Sequence, residues 1–275
     1  MKIQYLGTAA AEAWPGIFCN CEFCKKAKQN GGKDFRTRSQ AVIDDKIVMD
    51  FPQDSYAHMK DYGLDLPHIN TILFTHTHQD HFYLEDLGLR FDVFCHDISG
   101  ELTLYGNDAV CKKFDEMYKK DSADKHLDGF LRAQYLQPYK TICIEGYNVT
   151  PMLASHDKSE NCYIYIVEKD GKSIFYGNDT GIFPEKTWEF LSGKHFDLVS
   201  LDCTHQKYKE GTNHLGIPDV LYIKDKFIQM QCADEKTKFV ITHFSHNGHM
   251  LHAELEKEVA PYGILTAYDG FTVEF

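Results

Sequence analysis

Ile72-Leu73-Phe74-Thr75 is an apolar, β-branched run that ends abruptly in His76-Thr77-His78-Gln79-Asp80-His81. No other feature constrains the fold of this chain so tightly. A buried-type strand has to deliver four metal-ligating side chains, His76, His78, Asp80 and His81, at its C-terminal end. His76 and His78 are two residues apart, so in extended backbone they point the same way. Asp80 and His81 follow where the chain turns, and can address a second point nearby. One short segment can therefore serve two adjacent cations. The competing reading, a polar loop that happens to carry surface histidines, does not account for the strand that feeds it.

Three more residues share this local grammar. His156 follows the strand-like run 149–154, Asp179 follows Ile174-Phe175-Tyr176-Gly177-Asn178, and His243 follows Phe239-Val240-Ile241-Thr242. Imidazole and carboxylate donors suit borderline divalent ions such as Zn²⁺, Mn²⁺ or Fe²⁺. Two such ions about 3.5–4 Å apart can clamp an in-line displacement and acidify a water between them. A carboxylate that bridges the pair holds the cations that close, and Asp179 can provide it.

Strand patterns fall at 2–6, 39–43, 46–50, 69–75, 101–105, 162–168, 172–176, 197–201 and 238–242, with hairpin turns at Asp44-Asp45 and Asp170-Gly171. Helical patterns fall at 22–29, 54–61, 108–119, 217–231 and 249–259. Hairpins and helices interspersed in this way predict an α/β (α+β) arrangement of layered sheets flanked by helices. No linker rich in Pro, Gly or Ser divides the 275 residues. We therefore expect one domain over 1–275, with a polar surface insertion around 112–140.

H-x-H-x-D-H, a later lone His, Gly177-Asn178-Asp179-Thr180-Gly181 and the late Thr242-His243 together resemble the metallo-β-lactamase superfamily. The resemblance implies a four-layer αββα sandwich and a dinuclear centre. His76, His78 and His156 would hold one metal, Asp80, His81 and His243 the other, and Asp179 would bridge them.

Cys19-Asn20-Cys21-Glu22-Phe23-Cys24 adds a second metal signal. Three thiols this close, in a chain where no secretory signal is expected, point to a structural zinc rather than a disulfide framework. The segment lacks a fourth ligand. His243-Phe244-Ser245-His246 offers one, because the i, i+3 spacing lets His246 face away from His243. This combination resembles the phosphoribosyl cyclic phosphodiesterase branch of the superfamily, in which such a site is structural. That branch carries a non-ligand histidine near the position of His214, where it would meet substrate phosphate or leaving group. His205 competes for the role. The catalytic residues expected are Asp80 and His214, and Ser155, Asp157 and Asn178 flank ligands that they could orient.

The remaining cysteines, 95, 111, 143, 162, 203 and 232, read as buried small apolar residues. The basic cluster Lys25, Lys26, Lys28, Lys33, Arg36 and Arg38 reads as a solvated face. Net charge is −12, which disfavours extended nucleic acid as a partner. No apolar stretch is long enough for a membrane helix, so a cytoplasmic location is expected. A homodimer is allowed by the sequence, and nothing in it specifies one.

The resulting expectation is a dinuclear-metal hydrolase acting on a small cyclic or linear phosphodiester. A thioester or lactone hydrolase of the same superfamily is the alternative. A tRNA 3′-processing nuclease is disfavoured by the acidic balance. A noncatalytic metal- or ligand-binding protein would require degenerate ligands, and all seven are present.

Overall fold

The structure is a computed structural model that describes residues 1–91, 94–120 and 129–275. Two seven-stranded sheets face each other. The first runs β14 (Phe271–Glu274), β1 (Lys2–Gly7), β2 (Gln40–Ile43), β3 (Ile47–Met49), β4 (Thr71–Leu73), β5 (Leu102–Gly106) and β6 (Leu131–Tyr135). The second runs β13 (Ile264–Thr266), β12 (Lys238–Thr242), β11 (Leu198–Asp202), β10 (Lys172–Gly177), β9 (Tyr163–Lys169), β8 (Tyr147–Leu153) and β7 (Ile142–Ile144). Six α-helices are described: α1 (Glu22–Asn30), α2 (Ser55–Tyr62), α3 (Asp108–Lys120), α4 (Glu185–Leu191), α5 (Ile217–Gln229) and α6 (His252–Val259).

Side-chain alternation along the strands builds three cores instead of one. Ile3 and Tyr5, Ala41 and Ile43, Ile174 and Tyr176 turn into the seam between the sheets. Val42, Val48 and Ile72 turn the other way, onto Val110, Phe114 and Tyr118 of α3. Phe175, Val199 and Leu201 turn outward onto Trp188 of α4, Phe227 of α5 and Leu255 of α6. Both faces of each sheet are thus buried, which is why the strands read as continuous apolar runs. Phe227 is fully buried against Phe175, Trp188 and Phe196. Truncating an aromatic so placed costs about 3–5 kcal/mol. The αββα sandwich expected from the sequence is the observed architecture.

β3 to β6 are parallel to one another, and so are β10 to β13. Their C-terminal ends emerge at one edge of the sandwich, the usual place for a ligand site in sheets of this kind. Both expected hairpin turns form, with Asp44, Asp45, Asp170 and Gly171 all at positive φ.

Several sequence expectations are corrected. Strands β6, β7, β13 and β14 and helix α4 did not register, because three to seven residues carry too little period to stand out. The expected insertion around 112–140 contains the second half of α3 and the edge strand β6, which pairs in parallel with β5. Its residues 121–128 lie outside the described residues. Cys143 is exposed, since the middle residue of edge strand β7 faces outward, and Cys95 and Cys111 are only half-buried. Arg36 does not belong to a solvated face. It is buried, donates to Thr8 Oγ1 and Ala267 O at 2.7 Å, and lies over the Phe244 ring. Among the described residues no helix is long and apolar enough to cross a membrane.

Candidate metal centre

Seven side chains expected from the sequence converge at the shared edge. His76, His78, His156 and Asp179 bring one ligand atom each to within 4.8 Å of one another, and so do Asp80, His81, His243 and Asp179. The two groups meet at Asp179. Its Oδ2 lies 2.9 Å from His81 Nε2, 3.4 Å from His76 Nε2, 3.5 Å from His243 Nε2 and 3.7 Å from His156 Nε2.

The hydrogen bonds around the rings define what these nitrogens can do. Each of the five imidazoles has one nitrogen tied to an acceptor outside the cluster. His81 Nδ1 donates to Asp50 Oδ2 at 2.7 Å, and His76 Nδ1 to Thr75 Oγ1 at 2.9 Å. His78 Nε2 donates to Asp157 Oδ2 at 3.0 Å, His156 Nδ1 to Asn213 O at 3.0 Å, and His243 Nδ1 to Thr204 Oγ1 at 2.8 Å. The other nitrogen of each ring therefore turns a lone pair inward. His81 Nε2 and His243 Nε2 are 3.3 Å apart, and His78 Nδ1 and His156 Nε2 are 3.1 Å apart. His76 Nε2 is buried with no hydrogen-bond partner. Facing lone pairs repel unless a cation stands between them. Two ligands on a tetrahedral ion at about 2.05 Å are separated by about 3.3 Å, the spacing found here. The residues fit a pair of divalent ions.

Electrostatics agrees. Burial alone would raise the Asp179 carboxyl, but the His243, His156, His214 and His81 imidazoles outweigh it and hold the group well below the usual carboxylate range. Burial lowers His81, but Asp80, Asp50 and Asp179 outweigh it and push the ring well above its ordinary value. A cluster that draws protons onto a fully buried imidazole is built to hold positive charge.

His214 is also drawn to this centre, where it, Asp179, Asp202 and His243 bring one ligand-type atom each to within 4.8 Å of one another. Its ring lies 4.9 Å from that of His156 and stacks at 5.7 Å on His243. Its Nδ1 is 3.0 Å from Asp202 Oδ2 and 3.1 Å from Asp179 Oδ1. Burial lowers its pKa, but the two carboxylates outweigh that and push it up to about 11. His205 sits one step further out, its ring 5.7 Å from that of His214.

Four supporting residues escaped the sequence reading. Asp50, at φ +62 just past β3, accepts from Thr75 N, Thr75 Oγ1 and His81 Nδ1. Asp202, at the end of β11, accepts from Thr204 N, Thr204 Oγ1 and Leu215 N as well as facing His214. Glu160 Oε1 takes both the N–H and the hydroxyl of Thr77, at 3.0 and 2.6 Å, while Lys113 Nζ donates to Thr77 O at 2.9 Å. The residue between His76 and His78 thus has every polar group committed. Asp50 and Asp202 carry the same signal as the ligands, a carboxylate at a strand's C-terminal end. Glu160 carries none. Of the expected flanking residues, Asp157 touches a ligand, Ser155 is held through its backbone by Thr180 and Gly181, and Asn178 donates to Ser39 and Tyr176 instead.

Cys19, Cys21, Cys24 and His246 form a separate cluster. His246 Nδ1 is 3.6 Å from Cys21 Sγ and 3.8 Å from Cys19 Sγ. A tetrahedral zinc with sulfur at about 2.3 Å and nitrogen at about 2.0 Å has S–N edges of about 3.5 Å, so this donor set fits. Burial raises Cys21, but N–H and S–H donors from Cys24 and Cys19 outweigh it and bring the thiol down to about 7. Burial pushes Cys24 up to about 12. Gly16 packs against the site, where a Cβ would come within 3.0 Å of Cys19 Cβ.

Residues 46–255 match the family model of the beta-lactamase superfamily domain. The chain belongs to the metallo-β-lactamase superfamily. Members of this superfamily are metal-dependent hydrolases, and the convergent His/Asp clusters accord with membership. Among solved superfamily structures, a diphosphatase of the PhnP family is similar at 22% identity and a TM-score of 0.75, covering 100% of this chain and 97% of that one. Zn²⁺-bound PqqB from Methylobacterium extorquens is similar at 17% identity and a TM-score of 0.72, with 100% of both chains covered. The short form of human tRNase Z follows at 16% identity and 0.66, covering 100% and 99%. No curated protein sequence matches significantly. The family match begins at residue 46, so Cys19, Cys21 and Cys24 lie outside it, while His246 lies within it.

Proposed function

We propose that the chain is a dinuclear-metal phosphodiesterase acting on a small cyclic or linear phosphodiester, with a third, structural zinc at Cys19, Cys21, Cys24 and His246. The observation that carries this reading is His214. It is not among the seven convergent ligands, yet its ring stands against those of His156 and His243. Its Nδ1 is committed to Asp202, and among the described residues its Nε2 has no hydrogen-bond partner. An imidazole so held presents a proton outward, which is what an alkoxide leaving group requires. Acyl transfer from a thioester makes no such demand.

His76, His78 and His156 would hold one ion, Asp80, His81 and His243 the other, and Asp179 both. Bound there, the ions would supply Lewis acidity toward phosphoryl oxygen and lower the pKa of a coordinated water. Asp80, buried beside His81 with Oδ2 3.3 Å from Nε2, would add a carboxylate's negative charge to the set that holds the second ion. Asp202 and Asp179 accept from the His214 Nδ1–H and favour the doubly protonated ring, which leaves Nε2–H as the proton for the leaving oxygen. Two of the similar structures are named for hydrolysis at phosphorus, a diphosphatase and a tRNase, which supports a phosphoryl substrate.

The test is turnover by protein loaded with defined metal. Bis(p-nitrophenyl) phosphate, cyclic nucleotides, a ribosyl 1,2-cyclic phosphate, a thioester and a cephalosporin form the panel. Diesters are expected to turn over and the cephalosporin to stay intact. Thioester turnover far above every diester would replace this reading with that of an acyl hydrolase.

A further inference from the structure

Two open clefts flank the metal centre, and His78 is the one residue that lines both. On one side, a cleft of about 760 Å³ is walled by Ser155, His156, Asp157, Thr212 and Asn213. On the other, a cleft of about 620 Å³ is walled by Phe82, Tyr83, Leu84 and Met117, with Lys113, Gln79, Glu85 and Glu116 also lining it. A phosphodiester bound at this centre would have one cleft for each of its two substituents. Both sides carry polar and charged groups, but only the second adds phenyl and phenol rings, Phe82 and Tyr83, and a thioether, Met117.

We infer that the Tyr83 cleft is a binding site for a planar aromatic or heteroaromatic substituent of the phosphodiester. This rests on the phosphodiesterase reading and names the substrate class that the site selects. The Tyr83 ring is half-buried, and among the described residues it has no hydrogen bond or ring partner of its own. Its neighbour Phe82 is spent inside the fold, edge-on to Phe74 at 4.7 Å. Met117 supplies a polarizable thioether across the cleft, a good partner for a ring edge or face. Lys113 is held at the same cleft by its bond to Thr77 O, where Glu85 and Glu116 also line the wall. Tyr83 arrives there because β3 and the 76–83 loop are locked together, Phe51 N bonding to His81 O and Tyr83 N to Phe51 O. The ring site is thus tied to the same loop as His76, His78, Asp80 and His81, so a bound ring has a fixed offset from the metals.

Metal-loaded protein titrated calorimetrically with phenylphosphonate and with methylphosphonate tests this without requiring turnover. Phenylphosphonate is expected to bind roughly tenfold tighter, the gain typical of one ring stacked on an aromatic side chain. Tyr83→Ala is expected to shrink that preference to about twofold while leaving methylphosphonate affinity unchanged. Met117→Ala serves as a second probe should Tyr83→Ala fold poorly. Equal affinities in the unaltered protein, no binding of either probe, or a phenyl preference indifferent to both substitutions would overturn the inference. In parallel, phenyl p-nitrophenyl phosphate is compared with methyl p-nitrophenyl phosphate. Absence of turnover with a Tyr83-dependent phenyl preference would remove the phosphodiesterase reading and leave the ring site standing. Turnover of both esters with no phenyl preference in binding or KM would do the reverse.

Discussion

At the scale of single residues, orientation of the ligands matters as much as their identity. Asp50 takes three hydrogen bonds in the core and decides which nitrogen of His81 turns inward. Asp50→Asn places an amide against His81 Nδ1 and removes the pull that fixes the tautomer. We expect metal affinity to fall about 10- to 100-fold, the usual effect of losing such a partner, as read by competition with a chelator. His214→Ala is expected to slow alkyl diesters by roughly 10²–10⁴-fold, the range of general acid catalysis. It should slow p-nitrophenyl diesters much less, because that leaving group departs unaided, and it should leave metal content unchanged. Equal losses on both substrates would assign His214 to phosphate binding. The ligands themselves were legible because H-x-H-x-D-H is local and each later ligand follows an apolar strand. Glu160 was not, because its partner Thr77 lies 83 residues away, and no local pattern announces a contact made only by the finished fold.

At the scale of elements, the cysteine cluster joins two segments far apart in sequence. Cys21 caps α1, its Sγ accepting from Cys24 N, while His246 follows the strand that carries His243. A zinc there would fasten α1 to the loop that positions a catalytic ligand. Cys21→Ser is expected to cost several kcal/mol of that stabilisation, a fall in melting temperature on the order of 10 °C for a chain of this size. Zinc content should drop by about one ion per chain, and activity should suffer only indirectly. An unchanged melting temperature and metal content would sink the structural-zinc assignment. The long elements were read correctly from period alone, α3 and α5 almost to their ends. The short edge strands β7 and β13 were not. Three residues hold less than two alternations, and their strand character comes from the neighbour they pair with.

For the whole molecule, acid response follows from histidines outside the metal centre. Burial pushes His58 down to about 4, beyond what Asp54 and Asp61 can offset. Burial, aided by Arg36 and Lys33, does the same to His252. An unfolded histidine titrates near 6.5, so the folded state binds fewer protons between about 4 and 6.5. Stability is therefore full above that window and is lost as pH falls through it. Asp269 opposes part of this, since burial raises it to about 6 and its folded form holds a proton longer. The share of His58 is on the order of 3 kcal/mol. His58→Gln should flatten the decline in melting temperature between pH 6.5 and 4 relative to the parent protein. An identical decline would show that acid acts elsewhere.

The centre also belongs to neither sheet. Asp80, His81, His76 and His78 follow β4 of one, while His156, Asp179 and His243 follow β8, β10 and β12 of the other. Neither half owns a complete ligand set. The full ligand sets would come together only after the halves have met, so complete metal loading would be a late event in maturation. A chain whose seam has closed out of register offers no pair of sites to fill. Occupancy is in that sense a certificate of assembly, issued at the position where the chemistry will take place.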